Sequence, residues 1–141
     1  MFLIPDGRLV VNELAPRVNN SGHWTIEGAA TSQFEQHIRA ICGLELGATA
    51  ALAPSAVVNL LGTGPQREAR LKAVGLGRAM TDPQVHLHVY DKRRVFERRK
   101  MGHVTALGAT VDDALDRARA AAGHVRWADA DTVDGGKESD G

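Results

Sequence analysis

Two short stretches of this chain gather the side chains that could do chemistry. The first reads Asn12-Glu13-Leu14-Ala15-Pro16-Arg17-Val18-Asn19-Asn20-Ser21-Gly22-His23-Trp24-Thr25. It has no helical periodicity and follows a strand-like segment, the setting in which binding loops occur. A carboxylate just past a strand end, such as Glu13 beside Asn12, suits Mg²⁺ that keeps phosphate oxygens in its shell; a solvated strand-end glutamate is the alternative. Arg17, stiffened by Pro16, offers the planar fork that grips phosphate or carboxylate on two oxygens; the alternative is a surface arginine. Asn19 can donate a hydrogen bond but cannot shuttle a proton near neutral pH. His23 is equally readable as a hydrogen-bonded structural residue. Gly22 permits close approach of the backbone to a ligand.

The second stretch reads Tyr90-Asp91-Lys92-Arg93-Arg94-Val95-Phe96-Glu97-Arg98-Arg99-Lys100-Met101-Gly102-His103, with six basic residues between two strand-like segments. It is readable as an anion site or as a solvated basic loop. RNA binding is disfavoured, because Phe96 is the one interleaved aromatic and the chain as a whole is neutral. His86 and His88 share one face of a strand, but no third ligand at metal-site spacing accompanies them. A structural or surface role is expected for both.

The elements that must position these groups follow from pattern. Phe2 to Ile4, a Pro5-Asp6-Gly7 turn and Leu9 to Val11 read as a hairpin. Such a pair is marginal alone and needs a sheet to join. Ser32 and Glu35 form a capping box, followed by Phe34, His37, Ile38 and Ile41 at helical spacing and a stop at Gly43. Cys42 falls at the end of this apolar helix and is expected to be buried. Residues 47–54 are small and irregular, a natural link. Ala56 to Gly62 reads as a buried strand, Pro65 to Val74 as a short amphipathic helix, and Thr81-Asp82-Pro83 as a turn. Val85 to Tyr90 and Met101 to Leu107 read as strands. Thr110 and Asp113 cap a helix with Val111, Ala114, Leu115, Ala118 and Ala122 on one face.

Seventeen basic and seventeen acidic residues cancel, which argues against a general nucleic-acid or membrane-surface binder. A single cysteine excludes an internal disulfide framework and fits a reducing compartment. No segment approaches the run of about 20 apolar residues that a membrane span needs. The opening lacks the basic flank and length of a signal peptide, so the expected location is the cytoplasm.

The first stretch resembles the Asn-Glu-(Leu/Ile)-Ala-Pro-Arg-x-His-Asn-Ser-Gly-His signature of N5-carboxyaminoimidazole ribonucleotide synthase, an ATP-grasp family of purine biosynthesis. The second resembles that family's Tyr-(Gly/Asp)-Lys segment followed by Arg-Lys-(Met/Val)-Gly-His. Val58-Asn59-Leu60-Leu61-Gly62 is similar to a strand of the family's C-terminal domain. The resemblance covers residues 1 to about 126. It departs at Asn19, where the family has His, and at Phe96-Glu97-Arg98, where the family commonly has Arg-Pro-Gly. The related formate-dependent transformylase has a Ser-Pro-Arg-Pro-His-Asp-Thr-Gly loop, and Asn20-Ser21-Gly22-His23 favours the carboxylating branch.

The resemblance implies an α+β chain. Residues 1–46 would end an ATP-grasp domain as hairpin, loop and helix. Residues 47–128 would form a small C-terminal α+β domain with antiparallel strands, and 129–141 a disordered tail. It implies an ATP-dependent ligase that joins bicarbonate to 5-aminoimidazole ribonucleotide through carboxyphosphate. Glu13 would be a Mg²⁺ ligand at the ATP phosphates. Arg17 and Asn19 would sit at the carboxyphosphate step, and Asn20, Ser21 and His23 would face the substrate. Lys92 and Arg99 would hold the ribonucleotide, largely at its phosphate. The signature normally lies late in the ATP-grasp domain, so the chain is expected to need an N-terminal half and to be inactive alone; the full-length family is homodimeric. The alternative is a non-catalytic phosphate-binding or interaction domain derived from such an enzyme.

Overall fold

A computed structural model describes residues 1–68 and 71–129. The expected strands form, two of them as a separate hairpin and three as one antiparallel sheet. Strands β1 (Phe2–Leu3) and β2 (Leu9–Val10) make the opening hairpin, with Phe2 opposite Val10. Its turn depends on Gly7 at a φ of +85°, a conformation costly to other residues. A 3-10 turn, Asn20–Gly22, leads into α1 (Thr25–Gly28) and α2 (Gln33–Ile41). Ser32 caps α2 by accepting from the Glu35 amide at 3.1 Å. Then follow β3 (Ser55–Leu61), β4 (Arg67–Glu68), β5 (Leu71–Val74), α3 (Leu76–Ala79) and β6 (Val85–Val89). The chain continues through β7 (Arg94–Val95), β8 (Lys100–Leu107), α4 (Val111–His124) and β9 (Arg126–Asp129).

The main sheet has the order β3-β8-β6, so β8 is central and paired on both sides. Strand alternation gives it two working faces. One carries Leu60, Val85, Val104 and Ala106, and α4 covers it with Ala118 and Ala121. Those alanines let the helix lie close to the sheet. The opposite face carries Met101, His103 and Thr105, all buried, with His88 and Asn59 directly across from His103 in the register. Residues 20–34 approach this second face: Gly28 packs on Ser55, and Glu27 and His23 reach His88 and Tyr90. The polar side of the sheet is therefore where the two halves of the chain meet.

Three expectations need correction. The segment read as a helix from Pro65 to Val74 contains β4 and β5 instead, because each finds a partner strand far along the chain, β7 and β9. Cys42 is exposed: it follows the last turn of α2, a helix with no buried residue. Val111, the first residue of α4, is 60% exposed, and Ala114, Ala118 and Ala121 are the buried residues of that helix. Residues 130–141, nearly all of the expected tail, lie outside the described residues; Asp129 itself ends β9. Among the described residues no helix is long and apolar enough to cross a membrane.

Candidate active site

The 12–21 loop is built from local hydrogen bonds rather than from regular structure. The Asn19 carboxamide oxygen caps the 3-10 turn, accepting from the Ser21 amide at 3.0 Å and also from the Ser21 hydroxyl. The Asn19 amide N–H donates to Gln33 Oε1 at 3.2 Å, which ties the loop to the start of α2. Thr25 accepts from the Gln33 amide at 2.8 Å and completes the tie. A Cβ on Gly22 would fall 2.0 Å from Gln33 Oε1. What approaches Gly22 is thus Gln33 rather than a ligand, and the glycine is required for packing.

This loop walls an open cleft of about 870 Å³, lined by residues 12–17 and 19–21 together with Met1 and Lys100. Glu13, Arg17, Asn19, Asn20 and Ser21 therefore share one cleft. The Arg17 guanidinium donates to its neighbour's carbonyl, Val18 O, at 3.3 Å and is otherwise directed to solvent. Lys100 was not singled out by sequence reasoning. It is the first residue of β8 and the one group that the second stretch contributes to the cleft wall.

The basic loop lies directly beside it. Lys92 donates its ammonium to the Lys100 carbonyl and lies 5.1 Å over the Tyr90 ring. Arg99 donates to Arg94 O at 2.6 Å and lies 5.0 Å over the Phe96 ring. Burial, then the nearby charges of Arg99 and Lys100, push the Lys92 ammonium below its ordinary range. An ammonium held this close to two other cations is a place where an anion brings relief. Two bonds fold the loop back: Gly62 N donates to Arg99 O at 2.7 Å, and Arg98 N to Gly62 O at 3.0 Å. Arg98 sits at a φ of +63°, where glycine is at ease.

His23 does not line the cleft. It turns to the sheet, where His88, His103, His23 and Phe34 stack in succession with centroids 4.4, 4.4 and 5.6 Å apart. The Tyr90 hydroxyl lies 3.0 Å from His23 Nδ1 and 2.7 Å from His103 Nδ1. His88 Nε2 donates to Glu27 Oε1 at 2.7 Å. His103 is pushed down to about 4 by burial first and then by His88 and His23. His23 is lowered by the same causes in the same order, burial and then His88, with Lys100 after them. Sequence reasoning expected a structural or surface role for His88, and here it bonds Glu27; it assigned no role to Glu27, Tyr90 or His103. Among the described residues no three His, Cys, Asp or Glu side chains gather as a metal site.

Comparison with known proteins adds the context. Residues 55–117 match the phosphoribosylaminoimidazole carboxylase C-terminal domain, and residues 1–34 match the ATP-grasp domain. N5-carboxyaminoimidazole ribonucleotide synthase from Bacillus subtilis is 47% identical over 117 residues, covering 80% of this chain and 28% of the relative. The N5-carboxyaminoimidazole ribonucleotide synthetase structure from Thermotoga maritima superposes with a TM-score of 0.81 at 44% identity, covering 90% of this chain and 35% of that one. The enzyme from Aspergillus clavatus, solved in complex with ADP and 5-aminoimidazole ribonucleotide, superposes with a TM-score of 0.70 at 34% identity, over 85% of this chain and 32% of that one. The chain thus spans roughly a third or less of the relatives it matches.

Proposed function

From a chain that carries the sequence and fold of the C-terminal portion of the N5-carboxyaminoimidazole ribonucleotide synthase family, we propose that it supplies the substrate-holding end of an ATP-dependent carboxylase acting on 5-aminoimidazole ribonucleotide. The observation that carries this reading is Lys100. It lines the cleft of the 12–21 loop while its carbonyl receives the Lys92 ammonium, so the two family-like stretches form one continuous surface. We assign residues 1–46 to the end of the ATP-grasp domain and 47–128 to the C-terminal domain; the two family matches fall within these bounds.

In this reading Lys92 and Arg99 hold the ribonucleotide phosphate, and Asn20 and Ser21 orient the substrate. Arg17 grips bicarbonate and carboxyphosphate through its planar fork. Asn19 keeps its carbonyl on the Ser21 amide, so it shapes the turn and donates from Nδ2 without moving a proton. The cleft wall offers hard oxygen donors, the Glu13 carboxylate and the Asn12 and Asn20 amides, which fit Mg²⁺. Glu13 would hold the ion together with phosphate oxygens and ligands outside this set. Bound there, Mg²⁺ would neutralise the charge of the ATP phosphates.

An N-terminal ATP-grasp portion, supplied by a longer chain or in trans, is the proposed partner, and the assembled enzyme is proposed to be a homodimer. The exposed apolar residues Phe2, Leu3 and Leu9 of the hairpin, with Ile38 and Ile41 of α2, give that portion a surface to cover. The test mixes this chain with the N-terminal portion of the Bacillus subtilis relative and follows ADP release dependent on 5-aminoimidazole ribonucleotide. Activity is expected in the mixture and not in either part, and Glu13→Ala should abolish it. Phosphate binding without turnover in a formed complex would instead establish a non-catalytic binding domain.

A further inference from the structure

We propose that Tyr90 holds His23 and His103 in opposite tautomers and thereby fixes the Asn19–Gly22 turn against the strand that carries Lys100. The three are then positioning residues for the site proposed above, on which this inference rests. The starting point is a count of protons. The Tyr90 oxygen is within hydrogen-bond distance of two ring nitrogens, His23 Nδ1 at 3.0 Å and His103 Nδ1 at 2.7 Å. A phenol has one proton to give. With no other partner for that oxygen among the described residues, it donates to one ring and accepts from the other.

The direction follows from burial. His103 is 2% exposed, and its Nε2 has no hydrogen-bond partner. Asn59 stands directly opposite in the register, yet its Oδ1 is likewise unpartnered, so no bond joins the two. A buried N–H left unpaired costs more than an idle ring lone pair. The His103 proton therefore sits on Nδ1 and is donated to Tyr90. The Tyr90 proton goes to His23 Nδ1, and His23 carries its own on Nε2.

The surroundings favour two neutral rings. His88 stacks on His103 and donates to Glu27, Phe34 covers the far side of His23, and Lys100 is near enough to act on His23. A proton added to His23 would meet the Lys100 ammonium, and one added to either ring would remove the acceptor or reverse the chain of donors. The relay also joins three segments that matter. His23 follows the turn at the cleft, Tyr90 precedes the loop of Lys92, and His103 lies on β8 after Lys100.

The test is long-range proton–nitrogen NMR on the full chain with labelled imidazoles at pH 7.5, which needs no ligand. His103 should show a protonated Nδ1 and His23 a protonated Nε2. Tyr90→Phe should leave His23 averaging between tautomers. His103→Asn, whose amide nitrogen takes the place of Nδ1, should keep His23 locked, and His103→Gln should release it. The same tautomer on both rings of the unaltered chain, or a His23 indifferent to Tyr90→Phe, would overturn the relay. Inorganic phosphate then separates the relay from the site. Shifts at both Lys92 and Asn20 amides, with those at Asn20 lost in Tyr90→Phe, support positioning. Opposite tautomers in a chain whose amides ignore phosphate would uphold the relay and remove the site it is said to serve.

Discussion

His88 Nε2 and Glu27 Oε1 stand 2.7 Å apart although 61 residues separate them in the chain. Glu27 is only 11% exposed, and its other oxygen is buried without a partner. This bond is a direct link between α1 and the main sheet. Removing the histidine strands a nearly buried carboxylate, so His88→Ala should cost about 1–3 kcal/mol. Glu27→Gln should cost less, because the amide oxygen still accepts from His88. Urea midpoints at pH 7 measure both. Equal stability of the His88→Ala chain and the unaltered one would show that the link contributes nothing.

The fold was largely readable from pattern, and the contacts between its halves were not. Alternation in Val85 to Tyr90 and Met101 to Leu107, and the capped helix after Thr110, appear as β6, β8 and α4. These signals are local. Pro65 to Val74 has the spacing of a short helix, and only distant pairing with Arg94–Val95 and Arg126–Asp129 makes strands of it. The site divides in the same way. Glu13 to Ser21 declares itself by polar density within one loop. Glu27 lies on a helix with no motif, and Lys100 is one cation among six, so only the structure shows which one faces the cleft.

His103 makes stability acid-sensitive. Its ring is pushed from the ordinary 6.5 down to about 4, so the folded state rejects a proton that the unfolded state takes. Its contribution is complete above about pH 6.5 and is lost as pH falls toward 4, up to about 3 kcal/mol. The lowered His23 acts in the same direction. Denaturant titrations at pH 7.5, 6 and 4.5 should show that fall, and His103→Gln should flatten it. A slope unchanged by His103→Gln would assign the acid sensitivity to other groups.

Gly22 is held by Gln33. Gly22→Ala places a methyl 2.0 Å from Gln33 Oε1, which must swing away and release the Asn19 amide. The expected cost is about 1 kcal/mol, the worth of one hydrogen bond. It should be localised, with faster hydrogen exchange at Asn19 and little change in β8. Adding Gln33→Ala removes the clash, so the double variant should lose little beyond Gln33→Ala alone. Additive losses would place the strain elsewhere.

Arg98 occupies the position at which the resembled family commonly has glycine, and it keeps the left-handed backbone at a φ of +63°. That conformation costs a residue with a Cβ about 1 kcal/mol. Arg98→Gly should recover part of this, offset by the greater freedom of glycine in the unfolded chain. Arg98→Ala should recover none. Thermal melts would rank the three, and a stabilising Arg98→Ala would point to charge repulsion in the basic loop rather than to backbone geometry.

The basic loop should bind phosphate by charge and by shape. Lys92, Arg99 and Lys100 are close enough for the latter two to depress the Lys92 ammonium, and an anion beside them restores it. Each charge-assisted hydrogen bond contributes about 1.5–3 kcal/mol at best, and salt screening reduces it at this half-exposed site. Phosphate or 5-aminoimidazole ribonucleotide should therefore bind weakly, with amide shifts centred on residues 92–100 that fade as ionic strength rises. Arg99→Lys should weaken binding although it keeps the charge, because the planar fork is lost. Lys100→Ala should reduce shifts in both the basic loop and the 12–21 loop, since that residue lines the cleft they share. Unchanged affinity in Lys92→Ala combined with Arg99→Ala, or shifts confined to other segments, would place the anion elsewhere on the molecule.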